Sequence, residues 1–435
     1  MIDRILPGFA ALDLGATKLI AATADAPVKS FGTFTCELRA LCSWLKEREV
    51  REVAMEATGV YWIPVHDMLQ AKGFAVTLFH GAHARNLPGR KSDVSDPQWH
   101  AMLHSHGLLR PCFIPEEPIR KLRSFYRGRE DHLSMAAAHI GHMQRALDLM
   151  NVGLHHVLSQ LVGVSGLRVL DAILAGERDP AVLAALCASQ VLRKKKAQLL
   201  ASLEGNWQEH HLFALRQALE AYRFYQQQIA ACDGQIALLL RSLNAERQRC
   251  AAKEGQKVKM VRHNAPAIAD LHGELLTLCG GRDATLIPGF SPLGWMKLTG
   301  EVGTDLSAFC DENHFSAWAG LAPQRHQSGY RQRRRPRPKT KVGQIFREAA
   351  LSIAKSKHLA LGGFYRRIKG RRGAAVAIVA TARKLAVLFY RAMTKGLEYV
   401  ERGLAEYEAA YREQGERHLR KIARRLGFTI QPKTV

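Results

Sequence analysis

The pattern of apolar and polar residues near the start of the chain predicts strands that alternate with a helix. Residues 8–25 contain an apolar run, a tight turn at 15–17 and a second apolar run, as in two strands joined by a turn. Further strands are predicted over 52–56 and 74–79, with a helical pattern up to about Lys72 between them. Strands that alternate with helices indicate an α/β domain.

The middle of the chain, residues 116–270, is mostly helical in pattern. From residue 215 onward, apolar residues recur at spacings of three and four, which is typical of the a/d seam of a coiled coil. The seam comprises Leu215, Ala218, Tyr222, Tyr225, Ile229, Cys232, Ile236, Leu239 and Leu243. Two interpretations stay open: a helix packed inside its own domain, or self-association through a coiled coil.

The last part of the chain predicts helices on both sides of a basic block. The segment 287–292 (Ile-Pro-Gly-Phe-Ser-Pro) is similar to the hairpin of a helix-hairpin-helix element, whose backbone amides bind a DNA phosphate. Helical patterns return at 373–395 and 398–425. The predicted organisation is an α/β domain at 1–115, a helical linker and coiled coil at 116–270, and a mainly α-helical domain at 271–435.

Charge is distributed unevenly over these segments. The 435 residues carry a formal net charge of +24, while their composition is that of an ordinary globular protein, which excludes a wholly disordered basic tail. A protein this basic is expected to bind a polyanion, with nucleic acid ahead of a membrane surface. Residues 1–115 are almost neutral, whereas 325–372 contain 16 basic residues and Glu348 as the single acidic one.

The basic block 325–372 is either a solvated face or an interaction surface. We favour a nucleic-acid-binding surface, because a run of like charges repels itself unless a partner neutralises it. Tyr330, Phe364 and Tyr365 lie among these charges and are candidates for base stacking. The candidate nucleic-acid-binding residues are Arg325, Arg331, Arg333, Arg334, Arg335, Arg337, Lys339, Lys341, Arg366 and Arg367.

Cysteine usage and the chain start favour an intracellular setting. Eight cysteines are scattered without metal-finger or redox spacing, as in a protein of a reducing compartment. No secretory signal pattern is present at the start. The most apolar stretch, 374–390, contains Arg383 and Lys384 and is interpreted as a buried helix. We expect a soluble protein.

Four carboxylates in the first segment are candidate metal ligands. They are Asp13, Glu56, Asp93 and Asp96. Asp13 interrupts an apolar strand, where a buried carboxylate is costly unless it is paired or metal-bound. Each of the other three also has a structural explanation when it is considered alone. Asp96, which precedes Pro97, can cap a helix, Asp93 can be a loop residue, and Glu56 can be a surface residue. As a set they suit phosphodiester chemistry, in which two Mg²⁺ (or Mn²⁺) ions are held by oxygen ligands.

Two other kinds of site receive little support. His100 and His104 share a helix face with His106 nearby, but no Cys or Glu stands at finger or metalloprotease spacing, so zinc is disfavoured. A phosphate-binding P-loop is absent from the sequence, since no Gly-Lys-Ser/Thr occurs. ATP-driven chemistry is therefore not indicated.

Ser328 is a candidate nucleophile because of its surroundings. A serine before a glycine is usually a turn residue. Here Arg325 and His326 precede it and an arginine cluster follows, so a phosphate would be attracted and its developing charge stabilised.

The ordered set of motifs resembles one family. The motifs are Leu12-Asp13-Leu-Gly15; Met55-Glu56-Ala-Thr-Gly59 with Tyr61-Trp62; Lys91-Ser-Asp93-Val-Ser-Asp96 with Trp99; Leu103-His104-Ser105-His106-Gly107; Ile287-Pro288-Gly289; Trp318-Ala-Gly-Leu-Ala-Pro323; Ser328-Gly329; and Tyr365-Arg366-Arg367. Over nearly its whole length the chain resembles the insertion-sequence transposases with a DEDD catalytic domain, the IS110 family, which includes bridge-RNA-guided recombinases.

The resemblance implies a fold and a set of roles. The fold is a RuvC-like (RNase H-like) domain, a linking coiled coil and a C-terminal transposase domain. Asp13, Glu56, Asp93 and Asp96 would bind magnesium, and Ser328 would be the nucleophile that joins DNA covalently. The two half-sites would combine across subunits, and a structured RNA would pair with target and donor DNA. The chain departs from the family pattern at Ser291, where a glycine is usual, and at 341–347.

The leading prediction is therefore a DNA transposase or recombinase that uses Mg²⁺ or Mn²⁺ and a bridge RNA. Its expected partners are donor DNA, target DNA and further copies of itself, as a dimer or tetramer. Its expected location is the cytoplasm of a prokaryotic cell, at the nucleoid. The alternatives are a RuvC-like structure-specific endonuclease that uses water, and a non-catalytic basic coiled-coil scaffold that binds nucleic acid.

Overall fold

The structure is a computed structural model that describes residues 4–24, 26–85, 95–252, 258–259, 261, 263–322, 326–328, 331–333, 339–396 and 403–429. The chain divides into two compact units, residues 1–114 and 115–435. Each unit has its own elements and its own buried core, and each is described by itself.

The first unit is a five-stranded mixed sheet covered by helices. Its elements are β1 (Phe9–Leu14), β2 (Lys18–Thr23), β3 (Lys29–Gly32), α1 (Thr35–Glu47), β4 (Glu52–Glu56), α2 (Trp62–Ala71), β5 (Ala75–Phe79), α3 (Gly81–Arg85) and α4 (Asp96–Ser105). The strand order is β3-β2-β1-β4-β5. Strands β1, β2 and β3 form an antiparallel meander, whereas β4 and β5 run parallel to β1.

Both faces of this sheet are buried, which explains why its central strands are almost wholly apolar. Leu12 and Met55 point to one face, where they pack with residues of α1 and α2 such as Leu45. Ala11 and Ala54 point to the other face, against Trp99 and other residues of α4. Alternate residues of β1 and β4 therefore belong to two different cores.

Most strand predictions for this unit are confirmed. The hairpin β1–β2 and strand β4 lie where the sequence pattern predicts them, and β5 begins at Ala75, within the predicted range. The sequence interpretation did not include β3 or α1. The periodicity of α1 is nevertheless regular, since Leu38, Leu41 and Leu45 are all buried on one face.

In its described residues, the regular elements of the second unit are helices and one short pair of antiparallel strands. Its elements are α5 (Glu117–Leu149), α6 (Leu154–Val157), α7 (Val164–Leu174), α8 (Pro180–Ala185), α9 (Ser189–Ser202), α10 (Glu209–Asn244), α11 (Leu271–Leu278), a 3-10 turn (Ala284–Leu286), α12 (Pro292–Val302), α13 (Glu312–Trp318), β6 (His326–Ser328), β7 (Arg331–Arg333), α14 (Lys341–Ala354), α15 (Ala360–Arg372), α16 (Ala374–Lys395) and α17 (Gly403–Arg425).

The two longest helices, α5 and α10, pack against each other in antiparallel directions. Arg129 near the start of α5 pairs with Asp233 near the end of α10, with Nε and Oδ1 2.6 Å apart. Further along α5, His139 stacks on Tyr225, with ring centroids 5.6 Å apart. Four of the nine seam residues are buried within the chain, Ile236 completely, and the other five are half-buried. The seam therefore packs inside its own domain, while self-association of copies stays a prediction.

Helices α6 to α9 form a small bundle at one end of the α5–α10 pair. Its core contains Met150, Leu154, Leu170 and Leu199, which pack with Leu215 from the first turns of α10. This helical insertion comprises residues 150–208 between the two long helices.

The C-terminal helices surround a core of aromatic rings. Phe315 contacts Phe346 of α14 and Phe389 of α16 at ring-centroid distances of 6.1 Å each. Helix α12 is joined to α5 by Glu301, whose carboxylate accepts hydrogen bonds from Tyr126 and, at 2.8 and 2.9 Å, from Arg127. A buried carboxylate with this many donors is a well-compensated charge.

The predictions for the end of the chain agree with the structure. The helical pattern at 373–395 corresponds to α16, and that at 398–425 corresponds to α17 over Gly403–Arg425, since 398–402 lie outside the described residues. Helix α16 contains the most apolar stretch of the sequence, and Leu385 and Phe389 on it are buried. Within the described parts of the chain, no helix has the length and hydropathy that are needed to cross a bilayer.

Candidate active site and nucleic-acid interface

Asp13 and Glu56 lie next to each other near the carboxyl ends of two neighbouring parallel strands, β1 and β4. In the β1–β4 pair Leu12 lies opposite Met55, so the next residues along the strands are Asp13 and Glu56. Side chains alternate between the two faces along a strand, so Asp13 and Glu56 point to the same face as Ala11 and Ala54. Helix α4 covers this face. Both residues are half-buried. The register thus brings two of the predicted carboxylates together on one face of the sheet, at the carboxyl ends of β1 and β4.

The direction of α4 brings its first residue, Asp96, to the same edge. Near the end of α4, His104 contacts Phe9 with ring centroids 5.3 Å apart, and its Nε2 lies 3.7 Å from Glu52. Phe9 and Glu52 are the first residues of β1 and β4, whereas Asp13 is the penultimate residue of β1 and Glu56 the last of β4. Helix α4 therefore runs opposite to β1 and β4, and its beginning points to the ends of these strands.

The start of α4 differs from the sequence prediction in one respect. Ser95, not Asp96, precedes the helix and forms a capping box with Gln98. Its backbone N–H donates to Oε1 of Gln98 at 3.2 Å and its hydroxyl at 2.7 Å. The prediction of Asp96 as the N-cap is wrong, because Ser95 already satisfies the helix start. Asp96 is the first residue of the helix and is exposed.

Gly81, at the start of α3, makes room for the Glu56 carboxylate. A Cβ placed on Gly81 would overlap Oε1 and Cδ of Glu56, so no larger residue fits while Glu56 keeps this position. The sequence interpretation did not select Gly81. Its signal was a glycine two residues after a buried strand, a position at which close approach of another group is common.

The described carboxylates do not by themselves form a tight cluster. Asp13, Glu56 and Asp96 do not bring three oxygens within 4.8 Å of one another in the described part of the chain. Asp93, the fourth predicted ligand, lies outside the described residues. The donor set is composed of carboxylate oxygens, which is the chemistry that Mg²⁺ or Mn²⁺ prefers. Gly81 leaves the space that the Glu56 carboxylate itself occupies.

The histidines near this site have structural contacts. His100 packs on Phe79 at 4.8 Å between ring centroids, and Nδ1 of His106 bonds to the carbonyl of Met102 at 2.9 Å. Burial lowers the pKa of His104 below its ordinary value, while the nearby Glu52 carboxylate acts in the opposite direction. Among the described residues, these three histidines belong to no group of three side chains placed to hold a metal ion.

Ser328 lies at the end of β6 in a two-stranded antiparallel hairpin. The backbone of Ser328 is opposite Arg331, and His326 is opposite Arg333. Four of the predicted nucleic-acid-binding residues lie outside the described residues: Arg325, Arg334, Arg335 and Arg337. Tyr330, a candidate for base stacking, is also outside them.

Of the six other basic candidates, Arg331 and Arg333 lie on β7, and the remaining four divide into exposed residues and residues used in packing. Lys339, Lys341 and Arg366 are exposed, although Nζ of Lys341 is 3.9 Å from Glu130 and Arg366 donates to the carbonyl of Ser356. Arg367 is half-buried and lies over the ring of Tyr411 at 4.0 Å, which joins α15 to α17. The cation–π contact with Tyr411 gives Arg367 a structural role that does not require nucleic acid.

The aromatic candidates also take part in packing. Tyr365 is 8% exposed and packs with Ala354 and Ala377, so its prediction as a stacking surface is wrong. Phe364 is half-buried beneath the cations of Arg367 and Lys384. Helical spacing places Tyr365 on the inner side of α15, which the mixed basic and aromatic pattern did not reveal.

The segment 287–292 forms a sharp turn before α12. Gly289 has φ +97°, and a Cβ there would lie 2.7 Å from the carbonyl oxygen of Ala349. Ser291 caps α12, since its Oγ accepts a hydrogen bond from the N–H of Gly294 at 3.2 Å. The serine at this position of the turn is therefore explained by helix capping.

The sheet order and strand directions give the first unit an RNase H-like fold. Residues 11–152 match the family model of the DEDD transposases of IS110 type, described as Transposase. Residues 284–365 match the model described as Transposase IS116/IS110/IS902 family. The chain belongs to the IS110 family of transposases. A search of curated proteins gave no significant match.

Proposed function

We propose that this transposase cleaves and rejoins DNA at the ends of an insertion-sequence element through Ser328 and the carboxylates Asp13, Glu56, Asp93 and Asp96. The observation that carries the proposal is the β1–β4 register, which brings Asp13 and Glu56 side by side at one sheet edge. The direction of α4 adds Asp96 to that edge. The proposal includes three functional segments: the α/β catalytic domain 1–115, the helical linker and coiled coil 116–270, and the C-terminal transposase domain 271–435.

The carboxylates would hold Mg²⁺ or Mn²⁺. The carboxylates of two half-buried residues on parallel strands suit a hard cation, and the cation offsets the repulsion between their charges. The chemistry supplied by a bound ion is neutralisation of charge at the scissile phosphate and activation of the attacking oxygen. Gly81 keeps the Glu56 carboxylate at the sheet edge by leaving space for it.

Ser328 would act as the nucleophile. Its Oγ bonds to the scissile phosphorus and loses its proton to a base, while the phosphorus–oxygen bond to the leaving strand breaks and the leaving oxygen is protonated. A strand hydroxyl then attacks the phosphoserine and restores the serine. Each step exchanges one phosphodiester bond for another, so the reaction needs no ATP.

The basic block would hold the nucleic acids, including a structured bridge RNA. Exposed Lys339 and Arg366, with the arginines of 331–337, give this part of the chain its positive charge. If RNA is a partner, the purified protein should carry an RNA that ribonuclease removes and that matches DNA next to its gene. Purified protein without RNA that recombines DNA fully would contradict RNA guidance.

The test of the acidic site compares two glutamates on one strand. Glu56→Gln removes a predicted ligand, whereas Glu52→Gln changes a residue of the same type and parity at the other end of β4. We expect Glu56→Gln to lower Mg²⁺-dependent cleavage of element-end DNA by about 100-fold or more, because a metal contributes several kcal/mol to the transition state. Glu52→Gln should remain close to wild type. Equal activities of the two variants would contradict the proposal.

The same assay separates the alternative functions. Cleavage that survives Ser328→Ala but is lost in Asp93→Ala would favour an endonuclease that uses water. Steeply salt-dependent DNA binding without any Mg²⁺-dependent cleavage would favour a scaffold.

A further inference from the structure

A second cluster of metal-binding side chains lies away from the carboxylates of the sheet, where α5 ends and α6 begins. Oδ1 of Asp148 is 3.3 Å from Nε2 of His155 and 3.8 Å from Nε2 of His156. The three ligand atoms lie within 4.8 Å of one another, and no other group of three was found among the described residues. Two imidazoles and one carboxylate thus converge on a single point.

These distances suit a small tetrahedral ion. Zinc bonds to imidazole nitrogen and carboxylate oxygen are roughly 2.0–2.2 Å long, which places tetrahedral ligands about 3.3–3.5 Å apart. The separations of 3.3 and 3.8 Å are close to this value. Imidazole donors favour Zn²⁺ and its neighbours over Mg²⁺, so the chemistry differs from that of the all-carboxylate site.

The surroundings fix one ligand and leave the others accessible. The side chain of His155 is 10% exposed, whereas those of Asp148 and His156 are 54% and 72% exposed. The imidazoles lie beside each other, with ring centroids 4.0 Å apart. An ion can therefore enter from solvent, and a water molecule can fill the fourth position.

The position of Asp148 on its helix also favours a cation. Asp148 lies in the last turn of α5, where the carboxylate faces the negative end of the helix dipole, and that turn contains no basic residue. A metal ion at this point compensates both the carboxylate and the helix end.

We propose that Asp148, His155 and His156 bind one divalent transition-metal ion of the zinc class. The ion fastens the end of α5 to α6, and thereby holds the helical insertion 150–208 on the long helices. Its role is structural, since the site has none of the carboxylates that we assign to DNA cleavage.

The test uses the full chain, Zn²⁺ as the probe and excess Mg²⁺ to occupy the acidic site. Zinc binding is measured by titration calorimetry for wild type and His156→Ala, a change at an exposed side chain. The matched control is His211→Ala, because His210 and His211 are also adjacent, with ring centroids 3.9 Å apart, but belong to no three-ligand group of the described chain.

We expect wild type and His211→Ala to bind one more equivalent of Zn²⁺ than His156→Ala. Affinity at the site should fall at least 100-fold on loss of the ligand, above the roughly 10–100-fold that loss of an outer-shell group causes. Co²⁺ should give the absorption of a tetrahedral ion in wild type but not in Asp148→Asn. Equal zinc stoichiometry and affinity in wild type and His156→Ala would overturn the proposal, whatever the outcome of the DNA assays.

Discussion

At the scale of single residues, Gly81 and Glu56 form a pair whose roles depend on each other. Because a Cβ at Gly81 overlaps the Glu56 carboxylate, Gly81→Ala should displace that carboxylate and lower Mg²⁺-dependent DNA cleavage by about 100-fold. The fold should persist, because the overlapping group is the end of a flexible side chain. Cleavage rates and thermal melting of the variant check the two parts of this prediction.

A double-mutant cycle separates this effect from general destabilisation. Gly81→Ala combined with Glu56→Gln should be no slower than Glu56→Gln alone, since both changes remove the same ligand. Gly141→Ala is the control, because a Cβ there on α5 meets nothing within 4 Å. Fully additive losses would show that Gly81 acts elsewhere.

His104 gives the first unit a defined pH dependence. Burial lowers its pKa in the folded state below the ordinary value of 6.5. Protonation therefore favours the unfolded chain, and the contribution of neutral His104 is complete above about pH 6.5 and is lost as the pH falls below it. His104→Gln should reduce the loss of unfolding free energy between pH 7.5 and 5.5, as measured by urea denaturation.

The exposed His106, two residues further along, provides the comparison. His106→Gln should keep the pH dependence of the wild type. If His104→Gln loses as much stability on acidification as His106→Gln does, burial of His104 is not a source of the acid sensitivity.

At the scale of elements, the α5–α10 pair predicts a contrast between two residues of one helix. Ile236 is fully buried against the rest of the chain, whereas Leu238 is 59% exposed. Ile236→Ala should lower the free energy of unfolding by about 2–5 kcal/mol, through lost burial and the cavity that remains. Leu238→Ala should change it by less than about 0.5 kcal/mol. Similar values for the two variants would contradict the packing of α10.

The buried seam also changes the expectation for oligomers. Since Ile229 and Ile236 are already buried within one chain, a second copy would have to use the outer side of α10. Phe213 and Phe224 are exposed, and helical spacing places them on one side of α10. We expect copies of the chain to meet on this side. Phe213→Lys with Phe224→Lys should lower the mass measured by light scattering, and an unchanged mass would refute it.

Local features of the elements were readable in the sequence, whereas their pairing was not. Strand β4 was predicted with its observed limits, because its apolar residues are bounded by charged ones. The side-by-side position of Asp13 and Glu56 depends on parallel pairing across a long sequence separation, which no local pattern specifies. Likewise, the seam of α10 predicted a partner helix but did not identify α5 from the same chain.

At the scale of the whole molecule, charge and candidate chemistry are divided between the two units. The carboxylates belong to the nearly neutral first unit, while Ser328 and the basic block belong to the second. We therefore expect attraction to nucleic acid to come chiefly from the second unit. The proposed strand exchange requires groups from both units.

The most direct test of this account is a search for a covalent protein–DNA species. The full chain is incubated with element-end DNA, Mg²⁺ and RNA transcribed from the flanking DNA, then denatured and separated by size. We predict a DNA adduct on Ser328 in wild type, none in Ser328→Ala, and a loss of about 100-fold or more in Asp13→Ala. An adduct that persists in Ser328→Ala, or equal yields from Asp13→Ala and wild type, would contradict it.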